Sequence, residues 1–292
     1  MTSRTIGFIG VGRLGLPLAK QLIDAGFAVA TTKRGGSDEL VRLGGDVPGN
    51  GSPLAVAENS DAVVTCMPSV SAFEDVLYGG EGILSGASVP PLIEASTLPL
   101  EVKLAARRRL LFARTGMLDA PVSGTPEMVE RNVAMIYASG DRDLYLEYEA
   151  VLQAMSPHAT YVGSSLNGSK YTFVAQLLST INVASAVEAM VYAHRVGLDL
   201  DEVAELIAAS PGATLGEWIP EGQAEGSPVS VEATIRDIDE VLDHGKHIGA
   251  PRDLLTIVAT HCHRLLNGGI RNAAPAESNQ WLDARASAAA PE

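Results

Sequence analysis

Cysteine is nearly absent from this chain. Cys66 and Cys262 stand alone and far apart in 292 residues, which excludes a disulfide framework and fits a reducing compartment. Positive charge is scarce as well. Lys and Arg number 21 against 35 Asp and Glu, a formal net charge of −14 that argues against nucleic-acid or anionic-membrane partners, whose binding needs basic patches. No uninterrupted apolar run of about 18 residues occurs, so no membrane span is expected. Met1-Thr2-Ser3-Arg4 leads directly into an apolar strand, leaving no secretory apolar region ahead of it. What remains is a chain long enough for two domains, expected in the cytoplasm, with apolar content to build a core.

Glycine, by contrast, is concentrated where it carries information. Gly10, Gly12 and Gly15 follow the apolar run Thr5–Ile9 and open a helical segment expected from Arg13 to Ala25, closed by Gly26. Strand, glycine turn and helix in that order suit a dinucleotide pyrophosphate. Gly10 allows a tight turn, Gly12 lets backbone approach phosphate, and Gly15 lets helix and strand pack closely. The helix N-terminus adds free N–H groups and partial positive charge. On this reading Ile9, Gly10, Val11, Gly12, Arg13, Leu14 and Gly15 line a cofactor.

The first half continues in a βαβ rhythm. Segments 28–32, 61–67, 91–95, 116–119 and 134–138 read as strands, with Gly10, Met67, Ser96 and Ser123 expected at their carboxyl ends, where parallel sheets hold ligands. Beyond residue 168 the texture changes. Lys170 to Val196 lacks Gly and Pro and makes a helix of roughly 40 Å. It is apolar on most faces but carries Gln176, Ser179, Asn182 and Glu188, a pattern for packing against other helices. Segments 201–210, 230–247 and 251–266 read as further helices. The fold class expected is an α/β Rossmann-type N-terminal domain, residues 1–165, followed by an all-α C-terminal domain, residues 166–292. A long apolar helix that so small a domain cannot cover points to a homodimer through the helical domain.

Cofactors with a free ribose 2′-hydroxyl are usually held by a carboxylate about 20 residues past the glycines. None stands there. Thr31-Thr32-Lys33-Arg34-Gly35 precedes the first acid, Asp38. Hydroxyls, an ammonium and a guanidinium suit a 2′-phosphate, so Thr32, Lys33 and Arg34 favour NADP(H) over NAD(H).

These residues together resemble the β-hydroxyacid dehydrogenase family, relatives of 3-hydroxyisobutyrate and 6-phosphogluconate dehydrogenases. The likeness runs over nearly the whole chain: the opening G-F-I-G-V-G-R-L-G-L-P, Met67-Pro68, Ser96-Thr97-Leu98-Pro99, and above all Asp119-Ala120-Pro121-Val122-Ser123-Gly124. Arg236-Asp237 stands where the family usually has Lys-Asp. The resemblance implies that Met67, Pro68, Ala72, Ser96, Thr97 and Arg236 line the cofactor, and that Ser123 and Gly124 face a small-molecule substrate.

One departure bears on mechanism. The family's catalytic lysine follows the last glycine of a glycine-rich stretch by four residues, and counting from Gly163 and Gly168 puts Thr172 in that slot. Ala175 and Gln176 replace the asparagines that normally follow. Lys170 is only two residues away, but two helical steps turn a side chain by about 200°. Without a lysine to take a hydroxyl proton, alcohol oxidation loses its base. A C=N substrate relaxes that need, because an imine is protonated in solution, and imine reductases resemble this fold while varying the lysine position. The first reading is therefore reduction of a prochiral C=N, or of an activated C=O. Ser123, Thr172 and Gln176 would orient substrate, with Asp237 or a water supplying the proton. The alternatives are a 3-hydroxyacid dehydrogenase or semialdehyde reductase, and a dinucleotide-binding protein without turnover. Trp218 is a candidate pocket wall. His261 with His263, and His244 with His247, are not spaced to gather a metal, and none is expected.

Overall fold

The computed structural model describes residues 4–33, 37–208, 229–269 and 272–273. The chain forms two compact units, Met1–Leu178 and Ser179–Glu292.

In the first unit, β1 (Thr5–Ile9), α1 (Gly15–Asp24), β2 (Ala28–Thr31), α2 (Ser37–Arg42), α3 (Pro53–Glu58), β3 (Ala62–Thr65) and α4 (Val70–Tyr78) come first. They are followed by β4 (Leu92–Glu94), α5 (Leu100–Phe112) and β5 (Met117–Asp119). The five strands form one sheet in the order β2-β1-β3-β4-β5, every neighbouring pair parallel. Chain direction across the sheet reverses at β1, which lies between β2 and β3. That crevice, at the carboxyl ends of β1 and β3, is where such sheets receive ligands. Burial explains the strand signal: β3 and β4 are buried at every position and β1 at four of its five, so each reads as an apolar run without alternation.

A second sheet holds β6 (Val122–Ser123), β7 (Met135–Ala138) and β8 (His158–Tyr161), with α6 (Pro126–Glu130) and α7 (Arg142–Met155) between them. β6 runs antiparallel to β7, and β7 parallel to β8. An antiparallel bridge between Asp119 and Ser139 ties the two sheets together. Ser123 therefore does not end a strand of the main sheet, as the sequence reading had it. Pro121 cannot donate to a ladder, and past it the chain starts a separate, antiparallel pair.

Helix α8 (Asn167–Arg195) begins in the first unit and is followed in the second by α9 (Leu200–Ala208). The short strand β9 (Val229–Ser230), α10 (Val231–Ile248), α11 (Asp253–Asn267) and the short strand β10 (Asn272–Ala273) complete the second unit. By length and composition α8 is long and apolar enough to cross a membrane. A search for uninterrupted apolar runs misses it, because Ser, Thr and Asn break the run without much lowering its average. Glu188 of α8 accepts the backbone N–H groups of Leu254 and Leu255 at 3.1 and 3.3 Å. It thus stands in as the cap of α11, whose own N-cap residue, Arg252, makes no side-chain capping bond. Packing in this unit centres on Ile235, Ile238, Ala259 and Cys262.

Candidate active site

The opening turn is shaped by what a side chain would strike. Gly10 has φ +103°, and a Cβ there would lie 2.3 Å from both the Cys66 carbonyl oxygen and Met67 Cε. A Cβ on Gly15 would lie 1.9 Å from the Gly10 carbonyl oxygen, so helix α1 can leave β1 at this angle only with glycine. Gly12 differs. A Cβ there would meet no protein atom within 4 Å, so this glycine leaves space open rather than relieving a clash.

Helix α1 presents its N-terminus to that space. Helices α3, α4, α6 and α7 are capped by side-chain oxygens of Ser52, Ser69, Thr125 and Asp141. The first turn of α1 has neither a side-chain cap nor an acidic residue. Its donors remain available to an anion.

A cavity of about 590 Å³ opens over this turn. Ile9, Gly10, Val11, Gly12, Arg13, Leu14, Gly15, Thr32, Met67, Pro68, Ala72, Ser96 and Thr97 line it, as the sequence reading had grouped them. Among the described residues, Arg13 is the only charged one on its wall, in a chain with an excess of carboxylates. The sequence reading missed Pro53, Cys66, Val76 and Ala95, which complete the lining and are anonymous in sequence. Burial and the nearby Glu94 push the Cys66 thiol up to about 12, which leaves it protonated and inert near neutrality.

Lys33 lies beside this cavity rather than in it. It lines a second one, of about 420 Å³, that shares Pro53 and Val76 with the first and also receives Asn50, Ser52, Asp75 and Glu81. Arg34 and Trp218 lie outside the described residues, as does the side chain of Asp237. Arg236 is an exposed residue of α10, in the second unit.

The residues expected to meet substrate do not line either cavity. Ser123 is half-buried in β6, and Gln176 is exposed on α8. Thr172 is completely buried, and its Oγ1 has no hydrogen-bond partner among the described residues. Its hydroxyl therefore does not open onto a ligand in this arrangement. Lys170 points outward and donates to Asn167 Oδ1 at 3.4 Å.

A buried ammonium is nevertheless present. Lys103 of α5 is wholly inaccessible, and its Nζ lies 2.7 Å from Glu94 Oε2, 2.8 Å from Asp119 Oδ1 and 2.7 Å from the Ser96 carbonyl oxygen. The Ser96 N–H donates to Glu94 Oε1 at 3.0 Å, and Ser96 Oγ accepts the Met67 N–H at 2.7 Å. Asp119 also accepts the N–H and the hydroxyl of Ser169, at 2.8 and 2.7 Å, at the first turn of α8. Burial raises the Glu94 carboxyl above its ordinary range, and the charge of Lys103 opposes that rise. The sequence reading overlooked Lys103 because Lys-Leu-Ala-Ala-Arg-Arg-Arg reads as a solvated helix. The pairing carboxylates come from β4 and β5, the strands on either side of α5 in sequence.

Comparison with known proteins places this geometry. A family model described as the NAD binding domain of 6-phosphogluconate dehydrogenase matches residues 5–163. A second, described as the NAD-binding domain of NADP-dependent 3-hydroxyisobutyrate dehydrogenase, matches residues 167–278. The L-threonate dehydrogenase of Cupriavidus necator is 32% identical over 86% of this chain and 87% of its own length. The chain belongs to the β-hydroxyacid dehydrogenase family. Another member, the 2-(hydroxymethyl)glutarate dehydrogenase of Eubacterium barkeri, is 27% identical over 90% of this chain and 88% of its own length. Among solved structures, a variant imine reductase from Myxococcus stipitatus in complex with NAD+ superposes with a TM-score of 0.81 at 16% identity, covering 96% of this chain and 100% of that one. The Myxococcus enzyme in complex with NADP+ gives a TM-score of 0.79 at 16% identity, over 93% and 97% of the two chains. The family's fold and its oxidoreductase character thus extend to this chain, with a nicotinamide dinucleotide as cofactor.

Proposed function

We propose that this β-hydroxyacid dehydrogenase family member is an NADP(H)-dependent oxidoreductase that reduces a prochiral C=N bond, or an activated C=O. The observation that carries the chemistry is where its lysines lie. No lysine lines the main cavity, Lys170 faces outward, and Lys103 is sealed among carboxylates. Nothing in that set is placed to take a proton from a substrate hydroxyl, whereas a protonated imine asks for none.

The residues fit the cofactor. The turn Gly10–Gly15 and the uncapped start of α1 would hold the pyrophosphate, and Met67, Pro68, Ser96 and Thr97 would wall the nicotinamide side. Bound reduced nicotinamide supplies the hydride. Thr32 and Lys33, at a strand end lacking a carboxylate, support the phosphorylated cofactor. Asp75 and Glu81, which line the same cavity as Lys33, oppose that preference, so it is expected to be moderate. Two free thiols are in keeping with a cytoplasmic location. The apolar surface of α8 favours a homodimer, with a small molecule as substrate.

A second reading has its own support: the kinship with L-threonate dehydrogenase over most of both chains favours oxidation of a small hydroxy acid. One pair of assays separates them. NADPH consumption is followed with a panel of cyclic imines, and NADP+ reduction with a panel of 3-hydroxy acids and L-threonate. Turnover on the imines alone supports the first reading. Turnover on the acids alone overturns it, and tight NADPH binding with neither activity points to a dinucleotide-binding protein without turnover.

A further inference from the structure

The charged cluster under the cavity does something the sheet does not need. Strands β4 and β5 already pair by backbone from Leu92 with Met117 to Glu94 with Asp119. Lys103 acts one step beyond that ladder. The carbonyl it holds belongs to Ser96, a wall residue of the cavity, past the last residue of β4.

From there two connections diverge. Through Ser96 Oγ the cluster fixes the backbone N–H of Met67, just past the neighbouring strand β3. Through Asp119 it grips Ser169, and through Ser139 Oγ the N–H of Gly168, both in the first turn of α8. Every side chain in the chain Glu94, Lys103, Asp119, Ser139, Ser169 is essentially inaccessible. Water cannot substitute for a lost member, so each partner's position depends on the others.

We propose that Lys103 is a positioning residue for the reaction. It sets the Met67–Ser96–Thr97 wall against the nicotinamide ring and ties that wall to the start of α8. The inference rests on the redox reading given above. Lys103 touches neither cofactor nor substrate, and its effect passes through Ser96.

The test removes the Lys103–Glu94 ion pair and leaves Asp119 with its hydrogen bonds but without its ammonium partner: Lys103→Met combined with Glu94→Gln. Asp119 keeps its bonds from Ser169 and Ser139 in this variant. Cooperative thermal melting establishes that the variant is folded. Titrations then use ADP-ribose and NADPH, reading in the second case the emission shift of the bound reduced nicotinamide. Turnover is measured on whichever panel substrate the wild type accepts. A positioning role predicts ADP-ribose affinity within roughly threefold of wild type, a diminished emission shift, and kcat lower by about 10- to 100-fold, as a displaced reacting pair requires. A folded variant with wild-type emission and kcat overturns the proposal. Wild type that binds no NADPH overturns the redox reading instead.

If the double variant does not fold, Ser96→Ala serves, since it removes no charge and cuts the hydroxyl's bonds to Met67 and Glu94. The same emission loss in smaller measure supports the role, and an unchanged spectrum and kcat reject it.

Discussion

Helices α1 and α8 are both rich in apolar residues but place them differently. In α1 the apolar residues form one stripe, and Leu18, Ala19 and Leu22 are wholly buried against the chain's own sheet. In α8 they occupy every side. Val174, Leu177, Val183 and Val187 are 59%, 61%, 65% and 59% exposed. A stripe answers to a single neighbour, whereas an all-round apolar helix requires cover on several sides. The first helix is complete within the fold. Nothing among the described residues covers these four side chains of the second.

The comparison breaks hardest at the glycine turn. Gly15→Ala drives a methyl group into the Gly10 carbonyl and moves α1, so NADPH affinity should fall at least about a hundredfold, near 2.7 kcal/mol. Gly12→Ala should melt like wild type yet also bind NADPH more weakly, because its methyl meets no protein atom. Fluorescence titration with parallel melting curves checks both. Equal melting of the two variants would dissolve the distinction drawn between these glycines.

The other side of the comparison is tested on α8. Val183→Asp with Val187→Asp would place two carboxylates in the apolar surface that the proposed homodimer covers, at a cost of several kcal/mol. Sedimentation should then show single chains where the wild type shows pairs. Wild type sedimenting as single chains at micromolar concentration removes the need for cover altogether.

A smaller effect sharpens the cofactor side. Lys33→Ala should weaken NADPH binding at least about tenfold and leave NADH nearly unchanged, since one charge-assisted bond is worth about 1.5–3 kcal/mol. The smallest concerns α8 where it enters the first unit. Thr172→Val deletes a buried hydroxyl that has no partner among the described residues, so the protein without ligand should melt at an equal or higher temperature, by up to about 1 kcal/mol of stability. A marked drop would mean that the hydroxyl is paired after all.

Legibility follows the same divide. Strands β1, β3 and β4 could be read because burial on both faces leaves an unbroken apolar run between turn residues. Strand β8, His-Ala-Thr-Tyr, alternates over only four residues with its histidine exposed, and β6 is two residues long, so neither rises above its surroundings. The turn beneath the main cavity was readable because glycines mark a backbone requirement at fixed spacing. Lys103 was not. A charge is recognisable as buried only when its partners are known, and Glu94 and Asp119 reach it through strand pairing that spacing along the chain does not reveal. Glu188 was the favourable case, a lone acid in an apolar helix, read as part of a helix-packing pattern and found capping α11.

The opening turn has one more consequence. Because Gly15 sits against the Gly10 carbonyl, the loop is braced by its own backbone, and its mould exists ahead of any guest. A dinucleotide arriving there freezes little chain, so its association carries a small ordering penalty. The heat-capacity change on binding should then track the surface covered and little else.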